Sequence, residues 1–155
     1  MSDNQAHAPL KLYAREQADL QVVSALLQDA VLQIGDIAHL PDERRLVLMV
    51  NRYCHELPKA RLRVRAALQI NDVLSMQSRN LSRQRDDGVL SLLAVTFTAD
   101  KAPAGEMRLV FSGRAEIRLA VEACDAILQD VTAPWAAHGV PHHDVLGGTD
   151  ELDGE

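Results

Sequence analysis

From Leu62 to Ile70, apolar and polar residues alternate along the chain. Leu62, Val64, Ala66, Leu68 and Ile70 fall on one parity, and Arg63, Arg65 and Gln69 on the other, with Ala67 blurring the pattern. Successive side chains on a strand point to opposite faces, so this segment has one buried face and one offered outward. Ile117 to Ala123 repeats the pattern, with Ile117, Leu119, Val121 and Ala123 set against Glu116, Arg118 and Glu122. Half-buried strands of this kind predict an antiparallel sheet with a wet face.

The rest of the pattern fills in the plan. Leu10–Ala14 reads as a short strand. Arg15–Ala30 reads as a helix, because Leu20, Val23, Leu27 and Ala30 recur at helical spacing, and Glu16 and Asp19 suit the helix dipole near its start. Val31–Leu40 reads as extended, with a bulge at Gly35. Pro41 to Arg44 is a turn, and Arg45–Tyr53 a nearly continuous apolar run that suits a central strand covered on both faces. Further strands are predicted over Val73–Ser78, Val89–Ala99, Met107–Ser112 and from Ala115. Residues 79–88 form the longest internal loop. Residues 123–131 fit a short helix (Val121, Cys124, Leu128, Val131) or a strand (Cys124, Ala126, Leu128), and the helix is preferred at the end of the segment. The expected fold is therefore α+β. It is mostly antiparallel, with seven or eight strands in a bent sheet or open barrel and one N-terminal helix. A pleckstrin-homology-like barrel is one version of that order, by fold-level analogy alone.

A chain of 155 residues suits one domain. The division expected is a flexible segment 1–9, a single domain 10–135 and a disordered acidic tail 136–155, with Trp135 pinning the start of the tail. Met1 to Pro9 has no basic or apolar leader character, and no apolar run reaches the roughly 18 residues a membrane span needs. A soluble, cytoplasmic protein is expected. Cys54 and Cys124 lie in apolar surroundings and read as buried free thiols.

The net charge of −6 is unevenly spread. Residues 44–85 hold ten Lys or Arg against Glu56 and Asp72, and acidic sequence flanks them on both sides. Pairing of acidic and basic strands across one fold is the simplest account. Arg61, Arg63 and Arg65 share a parity, so they form a row that could take phosphate or carboxylate groups. The plain alternative is a solvated face balanced by Glu116 and Glu122. Arg79, Arg83 and Arg85 could extend the row.

Other chemistry is thin. No phosphate-binding glycine loop and no nucleophile elbow occur. His138, His142, His143 and Asp144 have ligand chemistry but sit where nothing fixes their geometry, so adventitious metal binding is expected and no physiological metal site. Cys54 and His55 are adjacent, and strand neighbours point apart, so no catalytic pair is expected. No cofactor is expected. The five aromatics, Tyr13, Tyr53, Phe97, Phe111 and Trp135, lie in apolar contexts, which weakens nucleic-acid binding by base stacking. Asp29, Asp36, Asn51 and Arg52 interrupt buried segments and must be hydrogen-bonded or functional. Arg52 is expected to pair with Asp29 or Asp36, because buried charges need partners.

Several stretches carry a family resemblance: Val23–Val31 (VSALLQDAV), Gly35-Asp36, Val50–Tyr53 (VNRY) and the LQDV ending at Val131. The chain resembles the bacterial domain-of-unknown-function family 2948 over about residues 10–135. It departs from that family where Cys54 and His55 follow the Asn-Arg-aromatic triplet in place of an aromatic. The resemblance implies a small bacterial protein and assigns no activity. Two functions remain open. One is a non-enzymatic binding or scaffold protein that uses the arginine-bearing strand face for an acidic protein or anionic ligand. The other is a small-molecule-binding or enzymatic domain with a pocket at the opening of the sheet.

Overall fold

A computed structural model describes residues 9–57, 59–81 and 88–136. Among the described residues there are eleven strands and one α-helix: β1 (Lys11–Ala14), α1 (Gln17–Leu27), β2 (Ala30–Gln33), β3 (Ile37–Leu40), β4 (Arg45–Tyr53), β5 (Leu62–Ile70), β6 (Val73–Arg79), β7 (Val89–Ala99), β8 (Gly105–Phe111), β9 (Glu116–Val121), β10 (Ala126–Asp130) and β11 (Trp135–Ala136). All strand pairs are antiparallel, in the order β1-β10-β5-β4-β2-β7-β8-β9-β6. β11 adds to β5 beside β10, and β3 adds to β4 beside β2. The path does not close, and β1 and β6 are its ends.

The α+β class and its antiparallel sheet are as expected, but seven or eight strands undercounts them. Three local causes account for the difference. The segment 31–40 splits in two because Ile34–Asp36 forms a 3-10 turn closed by Asp36, whose Oδ2 accepts from the Gln33 N–H (3.0 Å). Residues 126–130 form strand β10 and not a helix. A helix would have buried Val131, which is half exposed, whereas the strand buries Ala126, Leu128 and Asp130 on one parity and pairs with both β1 and β5. Trp135 does hold the chain to the body, as strand β11 opposite Arg63.

β5 buries Val64, Ala66, Leu68 and Ile70 completely, as its alternation predicts. β4 differs from expectation. It buries Leu46, Leu48 and Val50 but leaves Val47 and Met49 half-buried, so it is covered on one face only. The helix presents Leu20, Val23 and Leu27 to the core and packs on β7, β1 and β4. Beyond Leu92, where β2 stops pairing with β7, Ser24 of α1 takes over that edge: its Oγ accepts the Val95 N–H (2.9 Å). Asp29 ends the helix segment in the left-handed region (φ 66°), and its N–H donates to the Leu92 carbonyl (2.9 Å), which starts β2 along β7.

Candidate functional site

The polar residues of β4 divide between the two faces of the sheet. Arg52 lies on the inner face and is fully buried. Its Nε and Nη2 donate to Oδ1 and Oδ2 of Asp130 (2.9 and 3.0 Å), and its Nη1 and Nη2 donate to the two carboxylate oxygens of Glu56 (3.0 and 2.8 Å). A bond from Nη1 to the Tyr53 carbonyl (3.4 Å) completes the set. The partners are thus Asp130 and Glu56, not Asp29 or Asp36. Burial alone lowers the Arg52 pKa, but the hydrogen bonds and charges of Glu56 and Asp130 outweigh it and raise it. Asp130 also accepts from the Leu10 N–H (2.9 Å), which ties the start of the described chain to the same knot. All five guanidinium donors are thus engaged within the protein, leaving none for a ligand.

The outer face carries the arginine row in a shortened form. Arg61 precedes β5 with φ at 52°, and that left-handed turn takes it out of the strand's alternation. Arg63 and Arg65 stay on the row, with Asn51 opposite Arg65 in the register. Arg63 Nη1 donates to the Asn51 carbonyl (3.1 Å), and its guanidinium lies 5.9 Å from the centre of the Tyr53 ring. Arg65 Nη1 donates to Asn51 Oδ1 (3.1 Å), and its Nη2 to Asp36 Oδ1 (3.3 Å). The structure therefore gathers Asn51, Arg63, Arg65 and Asp36. Asp29 is separate from them, at the end of the helix segment. Beside Arg65, Gln33, Asp36, Asn51 and Val89 border a cleft of about 240 Å3.

The acidic residues expected to balance this row lie elsewhere. Arg63 and Arg65 have β4, β10 and β11 as neighbouring strands, not β9. Glu116 instead holds Arg108 (Nη2 to Oε1, 2.6 Å) and Arg79 (Nη2 to Oε2, 3.2 Å), with Arg118 at 4.0 Å. The hydrogen bond from Arg108 is the main cause that lowers the Glu116 pKa. Glu122 pairs with Arg44 (2.9 Å). Charge pairing across strands does operate on β6, β8 and β9, and in the buried Arg52–Asp130 pair between β4 and β10. Arg83 and Arg85 lie outside the described residues.

The two cysteines are buried and free. Burial pushes each thiol up, to about 11 for both Cys54 and Cys124. The His55 Nε2 donates to the Gln28 carbonyl (2.9 Å), and its ring meets Tyr53 edge-on. Among the described residues, no group of three or more His, Cys, Asp or Glu could hold a metal ion, and no helix is long and apolar enough to cross a membrane. His138, His142, His143 and Asp144 lie outside the described residues.

A second cleft, of about 280 Å3, opens between β3 and β6, where Ile34, Ile37, His39, Met76, Leu81 and Ile117 line it. Periodicity gave no sign of it, because it depends on β6 leaving β5 after Asn71-Asp72 and crossing to β9. The missed partner of Arg52 did leave a trace: Asp130 shares the buried parity of Ala126 and Leu128.

In comparisons with known proteins, the model of one family, described as a protein of unknown function (DUF2948), matches residues 10–143. No curated protein and no solved structure matches the chain.

Proposed function

The chain belongs to the DUF2948 family, whose description assigns no activity, and we propose that this member is a non-enzymatic binding or scaffold protein that takes an acidic partner on the outer face around Arg63 and Arg65. The observation that carries this reading is the state of Arg65. It is held in place by Asn51 and Asp36, beside an open cleft, yet these bonds use only two of its five donors. Asn51 also holds Arg63 through its carbonyl, so one residue sets both guanidinium groups. A guanidinium fixed by side-chain bonds loses little freedom when it meets a carboxylate, and such charge-assisted bonds are the strong ones.

The test uses fluorescein-labelled poly-L-glutamate, followed by anisotropy at low and at physiological salt. Charge-assisted bonds are worth about 1.5–3 kcal/mol each, so the double change Arg63→Gln with Arg65→Gln should weaken binding by at least about tenfold. Arg61→Gln should have a smaller effect. Added salt should weaken the wild type. Equal affinity for wild type and double variant at both salts would reject the reading.

A second reading, a small-molecule or enzymatic domain with a pocket at the opening of the sheet, has the β3–β6 cleft in its favour. At about 280 Å3 that cleft falls just below the range of about 300–1,000 Å3 usual for small-molecule pockets.

A further inference from the structure

We infer that the cleft between β3 and β6 is a strand-insertion site for an extended peptide in which apolar and acidic residues alternate. Its walls are two strand edges. Among the described residues, β3 pairs only with β4, and β6 only with β9. Each therefore turns a row of main-chain donors and acceptors toward the gap, and such rows accept an added strand. The gap is fastened at one end, where the Val73 N–H donates to the Arg44 carbonyl (2.9 Å). Beyond the bulge near Val73, residues 75–79 of β6 run in regular register with β9, a length of about 17 Å at about 3.4 Å per residue. That suits a segment of five or six residues.

Residue parity sets the chemistry of the occupant. Ile37 and His39 of β3 lie opposite the buried Leu48 and Leu46, and Met76 of β6 lies opposite the buried Leu119, so all three face inward. With Ile34 and Ile117 they make an apolar bed, and Met76 has the flexibility to adapt to different side chains. Alternate side chains of an inserted strand would enter this bed. The others would emerge beside Gln77 and Arg79, which share the outer face with Arg108, Glu116 and Arg118. Three guanidinium groups there face two carboxylates, Glu116 and Glu106. Arg79 is 66% exposed, and its described bond is to Glu116, which Arg108 already holds. The surplus is positive, so the emerging side chains should be acidic. The strand edges favour a peptide over a compact small molecule, because they offer hydrogen bonds spaced for a backbone. This surface is separate from the Arg63–Arg65 face.

The test is anisotropy of a fluorescein-labelled peptide of four Val-Glu repeats, with four Val-Lys repeats as control, on the full chain. Val-Glu should bind and Val-Lys should not. Charge reversal by Arg79→Glu should weaken Val-Glu by about tenfold. Met76→Arg, which fills the cleft, should also abolish binding. Arg79 is exposed, so its variant keeps the proposal testable if Met76→Arg unfolds. In the Arg63→Gln, Arg65→Gln double variant, Val-Glu binding should keep its sensitivity to Arg79→Glu. Absence of Val-Glu binding, equal binding of Val-Lys, or insensitivity to Arg79→Glu would overturn the proposal. So would concentration-dependent self-association lost in Met76→Arg, which would assign the cleft to a second copy of the chain.

Discussion

With its donors engaged by Asp130, Glu56 and the Tyr53 carbonyl, the Arg52 guanidinium joins β4, β10 and the segment after β4 in one buried knot. Removing one member of such a pair leaves the other charged, buried and unmatched. Arg52→Ala is therefore expected to cost about 3–5 kcal/mol, read from the denaturant midpoint, and a wild-type midpoint would contradict the knot. The thiols give a pH-dependent prediction. Both have folded pKa values pushed up to about 11, above the ordinary thiol value of about 8.5. Their contribution to stability is full below that ordinary value and is lost as pH rises toward 11. Stability should fall between these limits, and replacing both Cys54 and Cys124 with Ala should flatten that fall. At neutral pH, a thiol reagent should label both residues slowly in the native protein and quickly in denaturant. Rapid native labelling would show an ionised, accessible thiol. At this scale the sequence spoke for types and not for partners. Arg52 stands out as a charge in an apolar run, but one of its two carboxylates, Asp130, lies 78 residues on, and the other, Glu56, sits in the loop after β4. Only shared parity with Ala126 and Leu128 marked Asp130 as inward-facing.

At the scale of elements, period was informative wherever an element has one wet face. β5 and β9 follow their patterns and α1 keeps its stripe as far as Leu27, because burial on one side forces the alternation or the stripe, but the helix is shorter than the expected 15–30 and Ala30 opens β2. Short elements were harder to read. β2 and β3 have four residues each, too few to show a period, and the turn between them rests on the Gln33–Asp36 bond. β10 was ambiguous because its apolar residues fit either period, and pairing with β1 and β5 decides it. The β7–β8 hairpin depends on one close approach. A Cβ at Gly105 would stand 2.3 Å from the Thr98 carbonyl oxygen and 2.7 Å from the Phe97 ring. Neither the backbone nor the core ring can yield cheaply. Gly105→Ala should thus destabilise by about 1–3 kcal/mol, the usual cost of overpacking. An unchanged thermal midpoint would mean that the hairpin shifts freely.

Across the whole molecule, the uneven charge along the chain becomes two distinct surfaces. On β6, β8 and β9, three arginines interleave with two glutamates, Glu116 and Glu106. On β5, the row has Asp36 as the carboxylate partner of Arg65, and β9 with its glutamate sits on the far arm of the sheet. A linear charge count cannot show this, since β6 follows β5 directly in sequence yet pairs with β9. The proposed acidic partner is assigned to the Arg63–Arg65 face. Backbone amide shifts on titrating a short glutamate peptide into the isotopically labelled protein test that claim most directly. The largest changes should fall at Asp36, Asn51, Arg63 and Arg65 and shrink with added salt. Changes centred on Arg79, Arg108 and Arg118, or none at any site, would contradict it.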